Sequence, residues 1–308
     1  MSAPDRPRVL LRVYGIGAEQ LVDRQHELEW LARLSRMSTS LSPQLLAKFG
    51  NGRFEEYLES TTLTHADLHN PDISCQIAQC LRELHDVTEE YPPPTENCRV
   101  EVWRNISQWY AYARELLNQE EWKEKLKPLA LDTALPKEIE LCKAYMHRQD
   151  VPQSPVIFTH NDAQYGNVLR VEKTGELVLV DFEYAGYNPR GFDIANHFSE
   201  WMYDYHGPSP ASYDVDKYPT EEEQLRFITA YIEAGDDANK DLLDPKELQQ
   251  DALRWAMVVH LHWSLWGLVQ ASQSEIDYDY FLYFTERLKG FRKGLERALE
   301  QNTNSSSA

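Results

Sequence analysis

The sequence predicts an α+β fold in two unequal lobes: a small first lobe of mixed strand and helix, then a large, mainly helical second lobe. Three observations predict it. A β-rich run opens the chain and another flanks Gly50-Asn51-Gly52, with one helical stretch between them. From residue 59 onward, apolar residues recur mostly at helical spacing. Within that helical part stand two apolar runs, each ending on acidic or amide residues, near 156–162 and 177–183.

The elements follow in order. RVLLRVY, residues 8–14, reads as a strand. Residues 19–36 place Leu21, Leu28, Leu31 and Leu34 at helical spacing. After Ser42-Pro43, two short apolar runs meet at Gly50-Asn51-Gly52, a hairpin turn. These form a first unit over 1–58. Residues 69–87 read as a helix, YPPP at 91–94 as a stiff connector, and 100–119 and 135–149 as further helices. Residues 156–186 read as two strands of an extended hairpin around Thr174-Gly175. Helices follow over 220–235, 246–272 and 276–299, closing a second unit over 59–300. The polar tail, 301–308, is expected to be disordered.

A chain of 308 residues can build two lobes with substantial cores. Its net charge of -19 argues against nucleic-acid binding, which rests on Lys and Arg, and against an anionic membrane surface. It suits a cationic substrate, although net charge speaks first to solubility. Cys75, Cys80, Cys98 and Cys142 form no CxxC and no zinc spacing, and read as thiols of a reducing compartment. No stretch approaches the roughly 20 apolar residues of a membrane span, and the first residues carry no signal-peptide core. The expected location is the cytoplasm.

The chemistry concentrates in the acid-ended runs. If they are neighbouring strands, Asp162, Asn167 and Asp181 converge at one end of a small sheet. Two carboxylates and an amide oxygen suit Mg²⁺ rather than zinc. The spacing Asp162-x-x-x-x-Asn167 matches the catalytic loop of kinase-type phosphotransferases, in which the Asp accepts the proton of the attacking hydroxyl and the Asn holds a metal. A later Asp at a strand end holds the metal that bridges the nucleotide phosphates. Taken singly, Asp162 and Asn167 are explained by turn hydrogen bonds and Asp181 by a helix cap. Together, flanked by His160 and Glu183, they point to phosphoryl transfer. His160 is expected to be structural, since Asp162 already fills the role of base.

HNDAQYGN followed by VDFEYAGYNPRGFDIANHFSEWMYDY resembles the choline/ethanolamine kinase family, which has a protein-kinase-like two-lobed fold. The likeness continues through WSLWGLVQA (263–271) and IDYDYFLYF (276–284), and includes RVLLRVYG and HELEWLARLS near the start. It is strongest toward the fungal choline kinases. The resemblance implies Asp162 as catalytic base and Asn167 and Asp181 as Mg²⁺ ligands. Arg12 would stand where protein kinases have the phosphate-binding lysine, with Glu27 as its ion-pair partner. Phe54 to Tyr57, including Glu55, would be the hinge that meets the adenine of ATP. Gln164, Glu200, Tyr205, Trp263, Trp266, Tyr278 and Tyr283 would form the choline pocket. Asp193 would brace the catalytic loop, with Trp201 and Asp204 as structural neighbours. The implied reaction is phosphorylation of choline by ATP to phosphocholine, the first step of phosphatidylcholine synthesis by the CDP-choline route.

The aromatic set makes sense on its own terms. A quaternary ammonium donates no hydrogen bonds, so π faces and a nearby negative charge hold it best. Trp263 and Trp266 are three apart and so share a helix face. Such a pair is more often core than cage on general grounds, and the resemblance reverses that weighting.

One departure stands beside the resemblance. Family members begin with two strands joined by a glycine-bearing loop over the ATP phosphates. Here the first strand starts eight residues from Met1, and Gly15-Ile16-Gly17 falls after it. The sequence therefore predicts a truncated nucleotide lobe with apolar surface and a sheet edge exposed. Three readings remain open at this point: a choline kinase, an ethanolamine kinase, and a catalytically impaired choline-binding or scaffold form. The paired tryptophans favour choline. The family often dimerises, so a homodimer is one further option.

Overall fold

The structure is a computed structural model that describes residues 8–14, 21–37, 41–96, 98–235 and 243–305, with the backbone alone for 302–305. The Gly15-Ile16-Gly17 run lies outside the described residues.

The first lobe holds β1 (Val9–Val13), α1 (Arg24–Leu34), β2 (Leu45–Phe49) and β3 (Gly52–Glu56). The strands form an antiparallel sheet in the order β1-β3-β2, with the Gly50-Asn51 turn joining β2 to β3 as expected. β1 is an edge strand, and Val9, Leu11 and Val13 are exposed along it. Asp23 caps α1 by accepting from the His26 amide. Trp30 of α1 is fully buried and packs on Phe158, ring centres 3.9 Å apart, which ties this lobe to the next.

The second lobe begins with β4 (Ser60–Thr62), α2 (His65–Leu68) and α3 (Pro71–Glu90). Asn70 caps α3, accepting from the Asp72 and Ile73 amides, and Pro71 sits in the first turn, where its missing N–H costs nothing. Then come α4 (Glu101–Leu116), α5 (Glu120–Leu126), α6 (Leu135–Met146), β5 (Val156–Thr159), β6 (Val168–Val171), β7 (Leu177–Leu179) and β8 (Gly186–Pro189). The chain closes with α7 (Arg190–Glu200), α8 (Glu221–Glu233), α9 (Pro245–Gln273) and α10 (Tyr280–Ser305). α9 buries residues on every side, which marks it as the central helix; α10, α7, α4 and α8 pack around it. α10 takes in residues 301–305 of the polar tail. No helix among the described residues is long and apolar enough to cross a membrane.

The expected hairpin over 156–186 is corrected in one respect. β6 and β7 do pair around Thr174-Gly175, and β4 joins them in the order β4-β6-β7. β5, the run before Asp162, leaves that hairpin and pairs with β8 in a separate two-stranded sheet, Thr159 opposite Gly186. The reason is local. Asn161 adopts φ +67°, a left-handed conformation open to Asn, and residues 165–167 form a single 3-10 turn. The extended chain breaks there, so β5 and β6 cannot be one strand.

Candidate active site

The loop between β5 and β6 is held from behind by buried polar groups. Asp193 of α7 accepts from the His160 and Asn161 amides at 3.0 and 2.7 Å, and its Oδ2 also meets His85 Nε2 at 3.0 Å. Burial works to raise the Asp193 carboxyl, but His85 and His160, with the His160 amide, outweigh it and hold it below the usual range. His160 is fully buried, with Nε2 3.0 Å from the Val180 carbonyl, and is structural as expected. His197 bonds the Ala163 carbonyl at 2.9 Å through Nδ1 and accepts from Trp201 at 3.2 Å through Nε2. The loop therefore hangs from α7 on both sides of Asp162.

Asp162 faces the cleft. Asn167 Nδ2 donates to both its carbonyl and its Oδ2, at 2.9 and 2.8 Å. Those bonds spend the amide's donors, so the atom Asn167 can offer a cation is Oδ1. Burial raises the Asp162 carboxyl well above the ordinary range; Glu200, Asp181 and Glu183 add to the rise, and Asn167 opposes it. A positive charge in the cleft would offset those like charges and favour the ionised carboxylate.

Asp181 follows β7, and the bond from the Val180 amide to the Asn167 carbonyl at 2.9 Å holds the two segments together. Asp181 adopts φ +66°, an uncommon conformation for a residue with a side chain. Asp162, Asn167, Asp181 and Glu183 line one cavity. Among the described residues no three His, Cys, Asp or Glu side chains are grouped so as to hold a metal ion by themselves. An open edge of carboxylates and one amide oxygen fits Mg²⁺, which keeps several waters and shares its shell with phosphates.

The same cavity, about 400 Å³, runs from these acids to an aromatic wall. Gln164, Glu200, Tyr205, Trp263, Trp266, Tyr278 and Tyr283, all expected there, line it. Trp263 and Trp266 stand edge to face at 5.4 Å, and Trp266 also meets Tyr283 at 5.9 Å. Trp263 donates to Asn196 and Trp266 to Tyr184, at 2.7 and 2.8 Å, so their ring planes are set by hydrogen bonds. Tyr205 donates to Glu200 at 2.6 Å. Tyr278 donates to the Pro210 carbonyl at 3.0 Å, tying the segment before α10 to the loop after α7.

Sequence reasoning missed several groups. Tyr184 lines the cavity and lies 5.4 Å edge to face from Trp263. Its place next to Glu183 could have suggested it. Asp277 also lines the cavity, within IDYDYFLYF (276–284). Arg287 bonds Glu200 from behind, and nothing in the spacing signals it.

The nucleotide side differs from expectation. Arg12 does not pair with Glu27. It reaches Glu55 at 3.0 Å and Asp181 at 3.4 Å, while Glu27 meets Arg53 at 2.8 Å and Arg24 at 2.9 Å. Arg53, buried between Glu27 and Glu55, takes Glu27 and shares Glu55 with Arg12, because desolvation there demands full pairing. Arg24 also reaches Glu183 at 3.0 Å. Glu55 lies within β3 with its carboxylate in this network, and Tyr57 stands half-exposed beyond the strand under Arg8. Neither residue lines the cavity. Trp201 is fully buried and Asp204 accepts from the His206 amide, both outside the cavity wall as expected.

A small mixed lobe set against a large helical lobe, with this cavity lined by the helical lobe and first-lobe Arg12 and Arg24 reaching its acids, is the architecture of a protein-kinase-like phosphotransferase. Solved structures agree on the fold: choline kinase from Cryptosporidium parvum Iowa II matches with a TM-score of 0.72 at 22% identity, covering 96% of this chain and 83% of that one. The family described as choline/ethanolamine kinase matches residues 3–292, and the chain belongs to that family. Among curated relatives, probable choline kinase 2 of Arabidopsis thaliana is 35% identical over 94% of this chain and 78% of its own length. Human choline/ethanolamine kinase is 34% identical over 94% and 73%. The choline kinase of Saccharomyces cerevisiae is 31% identical over 88% and 56%.

Proposed function

We propose that this chain is a choline kinase that transfers the terminal phosphoryl group of ATP to the hydroxyl of choline, giving phosphocholine for phospholipid synthesis. One observation carries the reading: the aromatic wall and the Asp162–Asn167–Asp181 edge share a single cavity. Trp263, Trp266 and Tyr283 offer π faces to a methylated ammonium, and Glu200 adds negative charge behind it. With that end anchored, the hydroxyl points toward Asp162. Asp162 orients it and accepts its proton, and Asn167 holds the Asp162 carboxylate in place. Asn167 Oδ1 and Asp181 would hold Mg²⁺, which when bound neutralises phosphate charge during transfer. Arg12, 3.4 Å from Asp181, would meet phosphate oxygens. The four free thiols fit a reducing compartment, and we place the enzyme in the cytoplasm.

Ethanolamine is the second reading. Carboxylates Asp162, Asp181, Glu183, Glu200 and Asp277 all line the cavity, and a primary ammonium can use such acceptors. The test is turnover of each amine with Mg-ATP, beside Asp162→Ala. Phosphocholine formation that falls by about 10²–10⁴ in the variant supports choline phosphorylation with Asp162 as base. Failure of folded wild-type protein to phosphorylate choline overturns the reading.

A further inference from the structure

Arg287 of α10 is wholly buried, and it does not line the cavity. It lies directly behind two residues that do. Its Nη2 donates to Glu200 Oε1 at 2.7 Å and its Nε to Tyr283 Oη at 3.2 Å, while Nη1 donates to Ser199 at 3.1 Å. The guanidinium carbon sits 4.2 Å from the ring centre of Tyr203 and 5.1 Å from that of Tyr283. The other oxygen of Glu200 accepts from Tyr205 at 2.6 Å. Both oxygens of the cage carboxylate are therefore engaged by protein groups.

That engagement matters differently to different cations. A primary ammonium carries three N–H donors and needs acceptors with open lone pairs. A quaternary ammonium carries none and responds to π faces and to an undirected negative field. Glu200, paired with Arg287 and bonded by Tyr205, has fewer lone pairs to offer and much of its charge offset, which leaves the π faces as the main attraction for a cation. Of the other carboxylates lining the cavity, Asp181 pairs with Arg12 and Glu183 with Arg24, each through one oxygen, and Asp162 accepts from Asn167.

We infer that Arg287 is a positioning residue that sets the choice of amine: by holding Glu200 and Tyr283, it makes the pocket select a quaternary over a primary ammonium. This rests on the choline reading of the same cavity. Loss of Arg287 frees Glu200 Oε1 to accept from an ammonium N–H and lets the Tyr283 ring move. Choline loses its cage while ethanolamine gains an acceptor.

The test measures binding of choline and of ethanolamine by calorimetry, and kcat and KM for each, in wild type, Arg287→Lys, Arg287→Met and Tyr205→Phe. Tyr205→Phe removes the other restraint on Glu200 without burying an unpaired charge, so it keeps the test decisive if Arg287→Met does not fold. The expected result is a choline-to-ethanolamine affinity ratio about tenfold lower in Arg287→Met and in Tyr205→Phe, the worth of one hydrogen bond to a charged group. KM for choline should rise far more than kcat falls, and Arg287→Lys should recover part of the ratio. If folded variants bind both amines with the wild-type ratio, Arg287 is only structural and the inference is overturned. Because binding is read apart from turnover, a wild-type protein that binds choline selectively without phosphorylating it would refute the kinase reading and leave the ratio to decide this one.

Discussion

Asp193 shows how a single carboxylate holds the catalytic loop. It satisfies two consecutive backbone amides and a buried histidine, and so fixes the path of the chain immediately before Asp162. Asp193→Asn is nearly isosteric but turns an N–H toward one of those donors. Stability should fall by about 2–4 kcal/mol from the unsatisfied pair. Activity measured where the variant is still folded should fall in kcat more than it rises in KM, because Asp162, the proposed base, is misplaced while the aromatic pocket is intact; equal kcat would count against the bracing role. His262 presents the opposite case. It is buried among Trp109, Phe192 and Trp263, and neither ring nitrogen finds a partner among the described residues. Burial pulls it down to about 3, so it stays neutral. His262→Phe should raise stability by about 1–2 kcal/mol by removing unmet polar atoms, read as a higher urea midpoint. A lower midpoint would show that the imidazole is satisfied in solution.

At the scale of elements, the contact between α9 and α10 shapes the cage. Gly267 lies where α9 crosses α10, and an added Cβ would come 2.8 Å from Tyr283 Cδ1 and 3.3 Å from the Phe284 backbone. Gly267→Ala must push the helices apart or turn the Tyr283 ring. Overpacking of this kind costs about 1–3 kcal/mol. The expected outcome is a lower melting temperature and a weaker choline KM, with ATP KM unchanged because the metal edge is on other segments. A parallel rise in both KM values would refute this placement. The two-stranded β5–β8 sheet is the complementary case. It delivers Asn161 and Asp162 from one strand and, just before the other, Asp181 to Tyr184, so two separate runs reach the same cavity.

For the whole molecule, pH sensitivity follows from its buried imidazoles. Burial lowers His197 to about 4, and lowers His260 and His262 to about 3. In the unfolded chain each titrates near 6.5. Between those values the unfolded state binds more protons than the folded state, so stability rises with pH across that window. It is at full value above about pH 6.5 and falls on acidification, by about 1.4 kcal/mol per pH unit for each such group. Urea unfolding at pH 7, 6 and 5 should show this decline, and His197→Gln should flatten it while lowering stability at pH 7. An unchanged slope in that variant would remove His197 from the account.

Much of the site was legible in the chain because its key relations are local. Asp162 and Asn167 are five residues apart in one turn, and their hydrogen bond follows from that spacing. Trp263 and Trp266 share a face because a helix has a fixed period. The hairpin through Thr174-Gly175 brings Asn167 to Asp181 by chain connectivity. These local relations gathered Asp162, Asn167 and Asp181 and set Trp263 beside Trp266, whereas Gln164, Glu200, Tyr205, Tyr278 and Tyr283 were legible only through the resemblance to a family. Tertiary structure alone decided which charge pairs with which. Arg12 took Glu55 and Asp181 rather than Glu27, β5 took β8, and Arg287 found Glu200, 87 residues earlier. Long charged side chains reach many partners of equal charge, and sequence spacing does not rank them. Burial ranks them, because a desolvated charge must find its partner within a few ångströms, and where burial falls depends on how the helices pack.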